Sequence, residues 1–162
     1  MILWLASYPK SGNTFVRALL SNYLDNKNKD VFTKMEGIQS FPKKNSFEGI
    51  VDNDLIKEDK YQLFKYFLSA QKKINENKKL NLVKTHNFFG SINGHEFTNK
   101  ENTAGAIHIV RDPRSIAVSY AYHADISFEK SVDLLLMEKR ISLNDGGYPE
   151  ARMSWKIHFR SW

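Results

Sequence analysis
An apolar run at residues 2–6 breaks at Ser7-Tyr8-Pro9, passes through a Lys10-Ser11-Gly12 turn, and gives way to a helical pattern from Asn13-Thr14. The run is too brief for a helix and reads as a buried strand. Beyond it Phe15, Val16, Leu19, Leu20, Tyr23 and Leu24 recur at helical spacing, as far as the turn-forming cluster Asp25-Asn26-Lys27-Asn28. A strand that feeds a small-residue loop and then a helix N-terminus gathers backbone N–H groups at the positive end of a helix dipole, which suits an anion. Lys10 adds a mobile cation at the same place. An unliganded strand–turn–helix is the plainer alternative, though Lys-Ser-Gly serves it poorly.

Strand and helix signals alternate through the rest of the chain. Residues 31–52 carry no period, with Gly37, Pro42 and Gly49 as punctuation, and read as loop with short helical pieces. Asp52-Asn53-Asp54 offers N-caps for a helix over 55–75 whose apolar stripe includes Leu63, Phe64, Phe67 and Leu68. Residues 80–84 and 106–110 are further strand candidates, separated by loop at 87–103. Asp112-Pro113 opens a helix to about Ala124, with Asp as N-cap and Pro at the first helical position. Another helix is expected from Ser127 to Lys139, a turn at Asn144-Asp145-Gly146-Gly147, and a last helix over 150–162. Alternating strands and helices predict an α/β fold, a three-layer parallel sheet flanked by helices, in a single domain over 1–162.

Two further clusters sit where such a sheet collects ligands, at the carboxyl ends of its strands. In Val110-Arg-Asp-Pro-Arg-Ser-Ile-Ala-Val-Ser-Tyr120, Arg111 follows a strand, and Ser115 and Ser119 share a helix stripe. A guanidinium there matches phosphate with paired N–H donors. The plainer alternative pairs Arg111 with Asp112 or Asp125. In Leu82-Val-Lys-Thr-His-Asn87, alternation puts Lys84 and His86 on one face and Thr85 on the other. A lone histidine at a strand end is usually a surface or satisfied core residue.

The loop is not a Walker A motif, because Ser7 stands five residues before Gly12 and Asn13 follows where the lysine belongs. Tyr8-Pro9-Lys10-Ser11-Gly12-Asn13-Thr14-Phe15 instead resembles the Y-P-K-S-G-T-T-W loop of cytosolic-type sulfotransferases, which use 3′-phosphoadenosine 5′-phosphosulfate (PAPS). Six of the eight positions agree, and the departures are Asn13 and Phe15. Arg111 through Tyr120 resembles that family's R-[ND]-P-x-[DS]-x-x-x-S-x motif, and Lys84-Thr85-His86 its K-T-H. The resemblance implies a P-loop-like fold and PAPS as co-substrate. It implies that Lys10, Ser11, Gly12, Asn13, Thr14 and Phe15 hold the 5′-phosphosulfate and adenine, and that Arg111 and Ser119 hold the 3′-phosphate. His86 would be the catalytic base, with Lys10 stabilising the leaving phosphate and Lys84 steadying the sulfuryl oxygens. The K-T-H leans toward small-molecule acceptors, and the Lys10 and Arg111 corners should face one cleft from opposite ends. Met153-Ser-Trp-Lys-Ile-His-Phe-Arg-Ser-Trp162 resembles a G-S-W-x-x-H-x-x-S-W helix of bacterial members, useful for alignment rather than chemistry.

Members continue past that helix to a late R-K-G segment, and no Arg-Lys-Gly occurs here. The chain therefore reads as the N-terminal portion of the family domain, incomplete at its C-terminus, with a missing segment or self-association expected to cover the exposed apolar surface. A non-catalytic nucleotide-binding remnant and a P-loop kinase are the alternatives; the kinase lacks its lysine. Composition narrows the rest. The net charge of +6 suits an anionic ligand, but much of the excess lies in tracts such as Lys72-Lys73 and Lys78-Lys79, and no nucleic-acid motif accompanies it. With no cysteine, disulfides, thiolate zinc and a cysteine nucleophile are excluded. The five histidines lack helical metal-pair spacing, so no metal is expected. No apolar stretch reaches the ~20 residues of a membrane span, and the expected compartment is the cytoplasm.

Overall fold
The computed structural model describes residues 1–24, 30, 35–52 and 59–162. In chain order it contains β1 (Ile2–Ser7), α1 (Asn13–Leu24), β2 (Gln39–Ser40), α2 (Lys44–Phe47), a 3₁₀ turn (Lys60–Tyr66), α3 (Phe67–Asn75) and β3 (Asn81–Thr85). There follow a small hairpin of β4 (Ser91–Ile92) and β5 (His95–Glu96), then β6 (Thr103–Ile109), α4 (Pro113–Ala124) and α5 (Phe128–Leu136). A second hairpin of β7 (Ile141–Leu143) and β8 (Pro149–Ala151) leads to α6 (Trp155–Ser161). The central sheet has the order β2-β3-β1-β6, and every neighbouring pair is parallel. The α/β architecture predicted from the alternating pattern is the one observed: a parallel sheet flanked by helices.

The main core gathers Ile2, Trp4 and Val83 from the strands with Phe41, Phe47, Leu63, Phe67 and Phe97. Most of its aromatic rings meet edge-on or tilted, with Trp4 4.9 Å from Phe97 and Phe41 4.9 Å from Phe67 between centroids. Such pairs add about 0.5–1.5 kcal/mol each to the stabilisation from burial alone. The Trp4 indole donates to the Thr103 hydroxyl at 3.0 Å, so even the ring's polar atom is matched. A smaller cluster of Tyr8, Ile116, Ala117 and Leu135 packs α4 and α5 near the end of β1.

Helix α4 begins as its sequence dictates: the Asp112 carboxylate accepts the Arg114 N–H at 2.9 Å and Pro113 stands first in the helix. Ser127 caps α5, which stops at Leu136 rather than Lys139 because Met137 turns to extended backbone. The loop expected at 87–103 contains the β4–β5 hairpin, turned by Asn93 and Gly94, both at positive φ. Residues 150–162 are not one helix. Pro149–Ala151 pairs antiparallel with Ile141–Leu143, Met153 takes φ 56°, and only then does Ser154 cap α6. The helix end proposed at residues 25–28, part of the 31–52 loop and the start of the 55–75 helix lie outside the described residues; from Lys60 that last segment is a 3₁₀ turn running into α3.

Helix α1 also departs from its apolar pattern. Phe15, Leu19 and Tyr23 are exposed, while Asn13 and Ser21 are buried and Arg17 is half-buried. Positions 13, 17 and 21 form the opposite stripe. Hydrogen bonds favour that orientation: Asn13 reaches β1, and the Arg17 guanidinium donates to the Met35 and Ile38 carbonyls at 3.0 Å each. Among the described residues, no helix is long and apolar enough to cross a membrane.

Candidate active site
Parallel pairing brings the carboxyl ends of β1, β3 and β6 to one edge of the sheet. Ala6 is opposite Thr85, and Ser7 is opposite Ile109, so the segments that follow each strand emerge side by side. They line a cleft of about 930 Å³. Pro9, Lys10 and Gly12 come from the loop after β1, Asn13, Thr14 and Phe15 from the first turn of α1, Lys84 and His86 from the end of β3, and Arg111 and Ser119 from the loop and helix after β6.

The loop after β1 is tightly turned. The Ser11 amide donates to the Tyr8 carbonyl at 3.2 Å, Lys10 takes φ 68° and Gly12 φ 99°. A turn in which left-handed residues alternate with a right-handed or extended one can aim several N–H groups into a common hollow. Glycine adopts that conformation without the penalty that a Cβ brings. The Val16 amide closes the first helical bond on the Gly12 carbonyl at 3.1 Å, which leaves the amides just before it for a ligand. Phe15 is 74 % exposed at the rim, an aromatic surface open to stacking.

Not every residue assigned to this loop presents its side chain. The Ser11 hydroxyl is buried, has no hydrogen-bond partner and does not line the cleft. The Asn13 amide turns inward, donating to the Ser7 hydroxyl at 3.0 Å and the Leu5 carbonyl at 3.3 Å. Arg111 does not stand at the far end of the cleft from Lys10. Its guanidinium donates to the Lys10 carbonyl at 3.2 Å, so the two corners adjoin. Asp112 is not its partner, because Arg114 holds that carboxylate at 2.6 Å and draws its pKa down to about 2.

His86 is the most constrained titratable group here. Its Nδ1 lies 2.7 Å from the Ser7 carbonyl oxygen and 3.2 Å from the Ser7 hydroxyl. A carbonyl can only accept, so Nδ1 carries the hydrogen and Nε2 keeps the lone pair. Burial holds the imidazole well below its ordinary pKa, and the neighbouring Lys84 ammonium pushes the same way; the Ser7 carbonyl opposes them more weakly. Burial also lowers the Lys84 pKa, against the attraction of Glu150.

Several lining residues went unrecognised in the sequence. Tyr120 and His123 follow Ser119 on α4, and Arg140 donates to the Tyr120 hydroxyl while lying 4.9 Å over its ring. The opposite wall includes Lys43, Lys44, Asn144, Asp145, Glu150 and Arg152. Seven Lys or Arg side chains line the cleft against two carboxylates, Asp145 and Glu150, so its field favours an anion. An acid–base residue with its lone pair free, beside a loop built for an anion and under a positive field, is an arrangement for transferring a charged group.

The family profile of the sulfotransferase domain matches residues 2–156. The chain belongs to the sulfotransferase family. That match runs through all three segments of the cleft and makes a transferase the coarse functional class of the domain. Members of the family generally use PAPS and bind small-molecule acceptors. No curated protein matches the chain.

Proposed function
We propose that this sulfotransferase moves the sulfuryl group of PAPS to a hydroxyl or amine of a small-molecule acceptor, with His86 as general base. The observation that carries the reading is the tautomer of His86: Nδ1 is tied to the Ser7 carbonyl, and Nε2 is left as a base in the same cleft as the Lys10 loop. The residues present fit such a donor. The Lys10–Gly12 turn offers amides and a cation, Phe15 an exposed ring, and Arg111 with Ser119 a second anion-binding corner. When bound, the donor supplies a sulfuryl group on a phosphate leaving group, so that the acceptor oxygen bonds to sulfur as the bond from sulfur to the phosphate oxygen breaks.

The protein's own part is proton transfer, charge stabilisation and alignment. His86 Nε2 takes the acceptor proton, within the range over which a neutral imidazole serves as base. Lys10, the amides before Val16 and the Thr14 hydroxyl stabilise charge that develops on the phosphate side. Lys84, two residues before His86 on the same face of the strand, steadies the transferred group. Arg111 serves twice, recognising a 3′-phosphate and bracing the Lys10 carbonyl.

Calorimetry with adenosine 3′,5′-bisphosphate and ADP, followed by transfer of labelled sulfate from PAPS, tests this reading. Tighter binding of the bisphosphate and labelled product are the expected results. Equal affinity for the two nucleotides would sink the donor assignment, and binding without transfer would make the chain a nucleotide-binding remnant.

A further inference from the structure
The wall of the cleft facing the Lys10 loop carries no recognised motif, yet it is a built feature. In the segment from Pro149, Ala151 turns into the main core while Glu150 and Arg152, on either side of it, line the cleft. Hydrogen bonds from backbone amides lock this segment to the residues that follow His86: the Ala151 amide donates to the side-chain Asn87 Oδ1 at 2.8 Å, and the Phe88 amide to the Ala151 carbonyl at 2.8 Å. The hairpin turn is held as well, since the Asn144 side chain donates to the Pro42 carbonyl at 2.9 Å.

Glu150 and Arg152 form an ion pair with side chains 4 % and 13 % exposed. Arg152 Nε and Nη2 both donate to Glu150 Oε2, at 3.0 and 2.8 Å, and neither Glu150 Oε1 nor Arg152 Nη1 takes part in the pair. Burying two charges is costly, and a wall that needed only to be filled would be as stable or more so with apolar residues. The pair instead supplies acceptor and donor sites with no net charge, on the His86 side of an otherwise cationic cleft. A molecule matching it presents several hydroxyls and no charge. A flat phenol offers one hydroxyl to His86 and gives nothing to Glu150 Oε1 or Arg152 Nη1, and polar groups of a site left unmatched discriminate strongly between substrates.

We propose that Glu150 and Arg152 select the acceptor, and that the acceptor is an uncharged polyhydroxyl compound of the sugar or cyclitol type, with a hydroxyl beside the one that His86 deprotonates. This rests on the sulfuryl-transfer reading above. The test uses the whole chain with labelled PAPS and four acceptors: methyl β-glucopyranoside, myo-inositol, 4-nitrophenol and 2-naphthol. One of the first two should exceed both phenols in kcat/KM by about tenfold or more. In Glu150→Gln that preference should fall at least about tenfold, mainly through KM, with bisphosphate affinity retained. Because that variant leaves Arg152 buried without its partner, the double variant Glu150→Gln, Arg152→Gln is measured beside it, with its melting temperature. Loss of preference in a double variant that melts like the wild type supports the assignment. Preference for phenols, an equal effect of Glu150→Gln on all acceptors, or bisphosphate binding with no transfer to any of the four would overturn it. Failure to bind the bisphosphate at all would instead fell the sulfuryl-transfer reading.

Discussion

Replacing His86 with alanine should remove the proposed base while leaving the Lys10 loop and Arg111 in place, since neither hydrogen bonds to the imidazole. A positioned general base is worth ~10²–10⁴ in rate. At about 1.4 kcal/mol per tenfold, that is roughly 3–5.5 kcal/mol on the barrier. Turnover in a labelled-sulfate assay should therefore fall by that factor, with affinity for adenosine 3′,5′-bisphosphate nearly unchanged by calorimetry. The pH dependence is more telling. Burial and Lys84 hold the free-enzyme imidazole well below 6.5, so it stays neutral across the physiological range and the acid limb of kcat/KM lies well below pH 6.5. The negative charge of a bound donor favours the imidazolium, so the acid limb of kcat, which reports the complex, should lie at higher pH. Both limbs should vanish in His86→Ala. A variant that keeps more than about a tenth of wild-type kcat, or that keeps the same acid limb, would refute the role.

Arg111→Ala should weaken the bisphosphate by the value of a charge-assisted hydrogen bond, about 1.5–3 kcal/mol, while ADP loses less; equal losses for both nucleotides would show that Arg111 acts only through the Lys10 carbonyl. Gly12→Ala puts a Cβ into open space but at φ 99°, so urea denaturation should show a loss of about 1–2 kcal/mol from backbone strain alone, and an unchanged midpoint would contradict it. His158 is buried beside Tyr8 and His108, and burial first, then the His108 charge, lowers its pKa to about 3. It is neutral in the fold and protonates when unfolded, so its contribution is complete above pH 6.5 and is lost as pH falls toward 3, at about 1.4 kcal/mol per pH unit. Melting temperatures over that range should decline less steeply in His158→Phe than in the wild type, and parallel declines would count against this.

What could be read from the sequence was what local chemistry decides. Ser7-Tyr8-Pro9 ends a strand, Lys10-Ser11-Gly12 turns, and Asp112-Pro113 starts a helix whatever surrounds them, so β1, its loop and α4 were legible with most of the cleft. Glu150, Ala151 and Arg152 are good helix formers and were read as helix. Only pairing with Ile141–Leu143 and bonding to Asn87 and Phe88 make them a strand, and those partners are remote. Reading them as helix hides this wall of the cleft. The apolar positions of α1 recur at helical spacing, yet Phe15, Leu19 and Tyr23 stay exposed, because hydrogen bonds made by Asn13 and Arg17 turn the opposite side inward. Ser7 carried no signal at all, because its bond to His86 spans 79 residues.

That bond explains why His86 and the Lys10 loop keep a fixed relation. The β1–β3 ladder ends with Ala6 opposite Thr85, so the chain continues from it as Ser7 on one strand and His86 on the other. Ser7 gives its carbonyl to His86 Nδ1 and its hydroxyl to the Asn13 amide, which belongs to the first turn of α1. Thus the residue that orients the imidazole also anchors the helix whose N-terminus closes the loop. The relation is set by sheet register rather than by a flexible contact. A slip of one residue along β3 would put Thr85 where His86 stands and send the imidazole to the opposite face. The buried Trp4, opposite Val83 in the same ladder, guards against that slip through packing well away from the cleft. The geometry of the base is therefore purchased in the core, and core substitutions near Trp4 and Val83 should disturb turnover before they disturb donor binding.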